Sequence, residues 1–98
     1  MNKLQGKVAI ITEGSSGLGE ATAHQFAAHG ARAIVIADVQ DEKGQKVAAS
    51  IGSNTCTYIH CDVSNEEQVK NLVDSTVKAH GSLDIMAMFG CRKTFSGK

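Results

Sequence analysis

Residues 8–19 read Val-Ala-Ile-Ile-Thr-Glu-Gly-Ser-Ser-Gly-Leu-Gly, and this junction limits the fold more than any other stretch. The apolar run Val8–Ile11 has the composition of a buried strand, expected to extend over Val8–Thr12. A glycine- and serine-rich turn follows at once, and Leu18 opens a segment with helical character. Strand, tight turn and helix start together make a cradle for a phosphate-bearing ligand. Glycine lets the backbone turn sharply and approach the anion, and the free N–H groups at the helix N-terminus face it. The glycines are spaced Gly14-x-x-Gly17-x-Gly19, not the G-x-G-x-x-G of the common dinucleotide fingerprint. The turn is not a P-loop, because Glu20 stands where a lysine would be needed.

Downstream, strands alternate with helices. Leu18–His29 is expected to be a helix, with Gly19, Ala23, Phe26, Ala27 and Gly30 along one stripe and Gly30 as its stop. Arg32–Asp38 is expected to be a strand buried on both faces, because Ala33–Ala37 is continuously apolar. Asp41 can cap a helix running to about Ile51, which Gly44 should weaken by roughly 1 kcal/mol relative to alanine. Thr55–Cys61 reads as a third strand. Ser64 and Glu67 fit a capping box, and Val69, Leu72, Val73, Thr76 and Val77 line one face of the helix behind it, up to Gly81. Leu83–Phe89 reads as a fourth strand, and 90–98 as an irregular tail. This alternation predicts βαβ units, an α/β Rossmann-like parallel sheet of order 3-2-1-4 over residues 1–89, and a ligand at the carboxyl ends of strands 1 and 2.

Asp38 ends the second strand, roughly 20 residues past the glycines. A carboxylate there accepts hydrogen bonds from ribose hydroxyls and repels a 2′-phosphate, which favours NAD over NADP. The other reading is an ordinary strand-end aspartate. Asp62 and Val63 close the third strand, and there too a simple turn cap is the alternative.

Three signals at matching distances resemble one family. Thr12–Gly19 is similar to the T-G-x-x-x-G-x-G turn of the short-chain dehydrogenases/reductases, and Ala37-Asp38-Val39 and Cys61-Asp62-Val63 fit its later positions. Leu4–Thr12, Ile36-Ala37-Asp38 and Leu83-Asp84-Ile85-Met86 look closest to the plant secoisolariciresinol dehydrogenase-like branch. The resemblance runs from about Leu4 to Met86. It implies NAD as cofactor and a secondary alcohol or ketone as substrate of the full family domain. It implies pyrophosphate binding by Gly14, Ser15, Ser16, Gly17, Leu18 and Gly19, ribose binding by Asp38, adenine binding by Asp62 and Val63, and a cofactor contact at Val39.

Two departures stand out. Glu13 occupies the family's first glycine position. There a β-carbon strains the backbone if φ is positive, and a carboxylate would repel the pyrophosphate. Phe89 replaces the asparagine that follows the fourth strand. The family's Tyr-x-x-x-Lys pair is also missing from these 98 residues: the single tyrosine, Tyr58, is followed four positions later by Asp62. No catalytic residue is expected, and the chain reads as the cofactor-binding half of a truncated enzyme.

Lysine plus arginine and aspartate plus glutamate both count 10, so nothing in the charge points to nucleic acid or to an acidic membrane. No apolar run approaches a membrane span. Cys56, Cys61 and Cys91 lack framework spacing, so reduced thiols and a cytoplasmic location are expected. Cys56 and Cys61 should point to opposite faces of their strand, against a zinc site. The apolar edge of the fourth strand suggests an alternative role, as a non-catalytic module that self-associates or pairs with a full-length relative.

Overall fold

The computed structural model describes residues 3–89. Four strands alternate with three helices: β1 (Val8–Thr12), α1 (Gly17–Ala28), β2 (Ala33–Asp38), α2 (Asp41–Ile51), β3 (Cys56–His60), α3 (Glu66–His80) and β4 (Ile85–Ala87). All pairings are parallel, in the order β3-β2-β1-β4, as the alternation implies. The expected tail at 90–98 lies outside the described residues.

The unbroken apolar runs explain the layering. Every residue of β1 and β2 is buried, because both strands are central and helices cover both faces. The pleat sends alternate side chains to opposite sides. Ile11, Ile34, Ile36 and Cys56 join Ala23, Val47 and Ala48 under α1 and α2. Ile10, Val35, Ala37 and Cys61 join Leu72 under α3. Cys56 and Cys61 therefore do lie on opposite faces. No cluster of three metal-ligating side chains occurs among the described residues.

The first helix lies close on the sheet through its small residues: Gly19 and Ala23 are buried, and Phe26 and Ala27 pack beside them. Gly30, at φ +88°, lets the chain leave after the cap His29. At the far edge β4 is anchored twice to β1. Val8 N–H donates to Asp84 Oδ2 at 2.9 Å, and Asp84 N–H donates to Val8 O at 2.9 Å.

Several boundaries differ from expectation. The first helix starts one residue early, at Gly17, and β3 is shorter at both ends than Thr55–Cys61. Pairing in β4 stops at Ala87, because Phe89 N–H turns instead to Thr12 Oγ1 at 2.9 Å. The cap of α3 is Asn65, whose Oδ1 accepts from Gln68 N–H at 3.1 Å. Ser64 is committed elsewhere, its hydroxyl donating to Asp62 Oδ1 at 2.7 Å. Asp41 is the first helical residue of α2, behind Gln40, and makes no cap bond.

Gly44 turns out to be required rather than merely tolerated. A β-carbon there would lie 2.2 Å from two ring carbons of Tyr58 and 3.0 Å from Ser15 Oγ. Gly44→Ala gains roughly 1 kcal/mol of helix propensity, but overpacking costs about 1–3 kcal/mol, and the ring is held by a hydrogen bond to Asp41. The expected net result is destabilisation near 1 kcal/mol, read as a melting temperature roughly 4–8 °C lower. A rise in melting temperature would show that the ring swings aside freely.

Candidate nucleotide-binding site

The turn between β1 and α1 is built from backbone constraints. Glu13 N–H still donates to Ala37 O at 2.8 Å, so the chain leaves the sheet only after Glu13. Glu13 sits at φ +52°, the single non-glycine residue with positive φ among those described. The strain expected from the sequence is therefore present, while its side chain is exposed. Gly14 is buried, and a β-carbon there would lie 2.9 Å from Ile36 Cγ2. Gly17 follows at φ +61°. Gly19 rests against the turn, where a β-carbon would fall 2.0 Å from the Glu13 carbonyl oxygen.

The helix that follows begins uncapped. Ser16 occupies the cap position without a side-chain bond, and the first backbone bond back to it comes from Glu20 N–H at 3.3 Å. The amides of Gly17, Leu18 and Gly19 thus form an open, partially positive helix end suited to an anion. Leu18 stands beside it 74 % exposed, and Val39 at the end of β2 is 53 % exposed.

Asp38 is 5 % exposed, and its carboxylate bridges the two βα junctions. Oδ2 accepts from Ser15 N–H at 3.3 Å, and Oδ1 accepts from Val39 N–H at 2.7 Å. A carboxylate offers about four acceptor positions. Two remain, held in a fixed direction by the two backbone bonds. Ser15 itself is buried, and its hydroxyl finds no protein partner.

At the end of β3, Asp62 Oδ1 accepts from both Ser64 N–H, at 2.9 Å, and the Ser64 hydroxyl. Asp62 N–H donates to Gln68 Oε1 at 2.8 Å. The turn-cap reading of Asp62 is thus realised, and Asp62 is exposed beside half-buried Val63.

Sequence reasoning missed the brace behind Asp38. Asp41 Oδ1 accepts the Tyr58 hydroxyl at 2.5 Å and lies 2.7 Å from His60 Nδ1. The Tyr58 hydrogen bond, then His60, holds the Asp41 carboxyl below its usual range. Burial, then Asp41, pushes the Tyr58 phenol up. The Tyr58 oxygen also lies 2.7 Å from the Asp38 carbonyl, so the brace fixes the β2 exit. A second missed feature is a cleft of about 300 Å³ lined by Ser15, Ser16, Glu20, Lys43, Lys46 and Val47. The only sequence signal for it was the i, i+3 spacing of the two lysines, which reads equally as a solvated helix face.

Residues 7–90 match the family described as short chain dehydrogenase. The chain belongs to the short-chain dehydrogenase family. Secoisolariciresinol dehydrogenase of Forsythia intermedia is 60 % identical over 84 residues, covering 86 % of this chain and 30 % of the relative. The mitochondrial (-)-isopiperitenol/(-)-carveol dehydrogenase of Mentha piperita is 56 % identical over 86 residues, covering 88 % of this chain and 32 % of the relative. A short-chain dehydrogenase/reductase from Burkholderia phymatum, solved in complex with NAD, superimposes with a TM-score of 0.80 at 32 % identity, covering 88 % of this chain and 31 % of that one. The chain therefore spans about a third of the length of the family members it matches.

Within this family member, the predicted residues fall into one arc. Gly14, Ser15, Ser16, Gly17, Leu18 and Gly19 form the turn, and Asp38 is bonded to it. Val39 follows Asp38, and Asp62 and Val63 continue from the adjacent strand β3. No helix among the described residues is long and apolar enough to cross a membrane.

Proposed function

We propose that this chain supplies the adenosine- and pyrophosphate-binding part of an NAD-dependent short-chain dehydrogenase/reductase. The whole domain acts on a secondary alcohol or the corresponding ketone. The observation that carries this reading is Asp38, buried at the end of β2 and bonded to Ser15 N–H beside an uncapped helix start. The residues present suit the cofactor: the glycines leave room for close backbone approach, and the carboxylate keeps acceptor positions for two ribose hydroxyls.

In this reading the Gly14–Gly19 turn holds the pyrophosphate. Asp38 takes the ribose hydroxyls and excludes a 2′-phosphate by charge. Val39 and Val63 cover the adenine faces, and Asp62 accepts its exocyclic amine. Bound NAD supplies a hydride acceptor. The chain's own tyrosine cannot supply the accompanying proton transfer. A catalytic tyrosine needs its pKa lowered towards working pH by a nearby cation, whereas Tyr58 is bonded to a carboxylate and shifted upwards. The 98 residues alone are expected to bind NAD without turning over alcohols.

Calorimetric titration with NAD and with NADP tests the reading. NAD is expected to bind more tightly. Asp38→Asn should weaken NAD about tenfold, the scale of one charge-assisted hydrogen bond, and narrow the gap to NADP. Equal affinity for both cofactors in the natural chain would overturn the assignment of Asp38.

A further inference from the structure

We propose that Tyr58 is a positioning residue for nucleotide recognition: its hydroxyl, acting through the Asp38–Val39 peptide group, aims the Asp38 carboxylate at the ribose hydroxyls. The role rests on Asp38 being the ribose acceptor.

The Asp38 carbonyl and the Val39 N–H belong to one planar peptide group, so fixing one end fixes the other. The carbonyl oxygen accepts Cys61 N–H at 2.9 Å, which continues the pairing of β2 with β3. The Tyr58 hydroxyl lies 2.7 Å from the same oxygen and fills its second acceptor position. At the other end of the group, Val39 N–H donates to Asp38 Oδ1 at 2.7 Å. The contacts thus run from phenol to carboxylate through one rigid unit, and Ser15 N–H holds the remaining carboxylate oxygen at 3.3 Å. With Cys61 as its single carbonyl partner, the peptide group would rock about that bond and carry the carboxylate with it.

Tyr58 reaches the Asp38 carbonyl because Gly44 leaves room for its ring. Two ring carbons lie 2.2 Å from where a Gly44 β-carbon would stand, so the ring rests against the backbone of α2. The hydroxyl carries one proton and has two acceptors within reach, Asp38 O and Asp41 Oδ1. Asp41 Oδ1 has another neighbour, His60 Nδ1 at 2.7 Å. When His60 donates through Nδ1, Asp41 is satisfied without the phenol, and the phenol proton serves Asp38 O. Burial, then the bond to Asp41, pushes the phenol pKa up, so the hydroxyl stays a donor at working pH. A staple between α2 and β3 would need the Asp41 contact alone. The contact with Asp38 O is the one that joins the ring to the site.

Tyr58→Phe keeps the ring against Gly44 and removes only the hydroxyl. Calorimetry on the full chain with NAD, ADP and 2′,3′-dideoxy-ADP reads the consequence. The natural chain is expected to bind ADP more tightly than the dideoxy analogue. Tyr58→Phe should weaken NAD and ADP about three- to tenfold, the scale of one hydrogen bond. It should leave the dideoxy analogue unchanged, because that ligand offers Asp38 no hydroxyls. In the ligand-free variant the Val39 amide proton should move upfield and exchange faster with solvent. Equal losses for all three ligands would reduce Tyr58 to a structural staple and overturn the proposal. So would unchanged affinities with an unmoved Val39 amide. A natural chain that binds ADP and its dideoxy analogue alike, or neither, would overturn the ribose role of Asp38 itself, and the role of Tyr58 with it.

Discussion

Replacing Glu13 by glycine is expected to tighten NAD binding about a hundredfold. The expectation combines a position and a charge. Glu13 holds φ +52° in the turn that receives the pyrophosphate, and its side chain is exposed rather than neutralised by a partner in the core. A carboxylate roughly 5 Å from a phosphate charge costs about 3 kcal/mol at an effective dielectric near 20, and that is about two decades in dissociation constant. The strain acts separately: a left-handed non-glycine residue costs about 1–2 kcal/mol, partly offset by the greater unfolded-state entropy of glycine. Glu13→Gly should therefore also raise the melting temperature by a few degrees. Glu13→Gln separates the two effects, because it keeps the strain and removes the charge. It should recover most of the affinity and none of the stability. Salt should narrow the gap between the natural chain and either variant. Equal dissociation constants for all three at low salt would mean that the side chain lies clear of the phosphates.

Gly19→Ala should have the largest effect on the fold itself. The added β-carbon would lie 2.0 Å from the Glu13 carbonyl oxygen, 2.7 Å from its carbon and 2.9 Å from Gly14 Cα. All three are backbone atoms, so no rotamer change relieves the contact, and the turn must separate from α1. Overpacking of this kind reaches about 3 kcal/mol or more, a fall of roughly 10–20 °C in melting temperature for a domain this size. NAD binding should vanish with the turn. Gly17→Ala is the informative comparison. That position has φ +61° but no atom within 4 Å of an added β-carbon, so the cost is backbone strain alone, about 1–2 kcal/mol. Similar melting temperatures for the two variants would refute the close approach at Gly19.

Strand order and the two-sided core were legible because Val8–Ile11 and Ala33–Ala37 are continuous apolar runs, and only a central parallel strand buries such a run completely. The first helix was legible through its small residues. Finer features depended on competition between neighbours. Ser64 and Asn65 can both cap a helix, and the sequence could not show that Asp62 draws Ser64 away. Helix propensity marks Gly44 as a weakness, because propensity takes no account of the tyrosine ring against it. The candidate site was expected from residue types at family distances. Its joinery was not: the Asp38–Ser15 bond links residues 23 apart, and the Tyr58–Asp41 bond residues 17 apart, so both exist only after the sheet has formed.

The double anchoring of Val8 to Asp84 also has a meaning in time. These partners are 76 residues apart, so at roughly 5–20 residues per second of synthesis the ribosome makes the second about 4–15 s after the first. Throughout that interval β1, the most completely buried strand of the mature sheet, has no neighbour available on its β4 side. A nascent chain must keep this run of valine, alanine and isoleucine from other apolar surfaces until Asp84 emerges, and the arrival of β4 decides when that exposure ends.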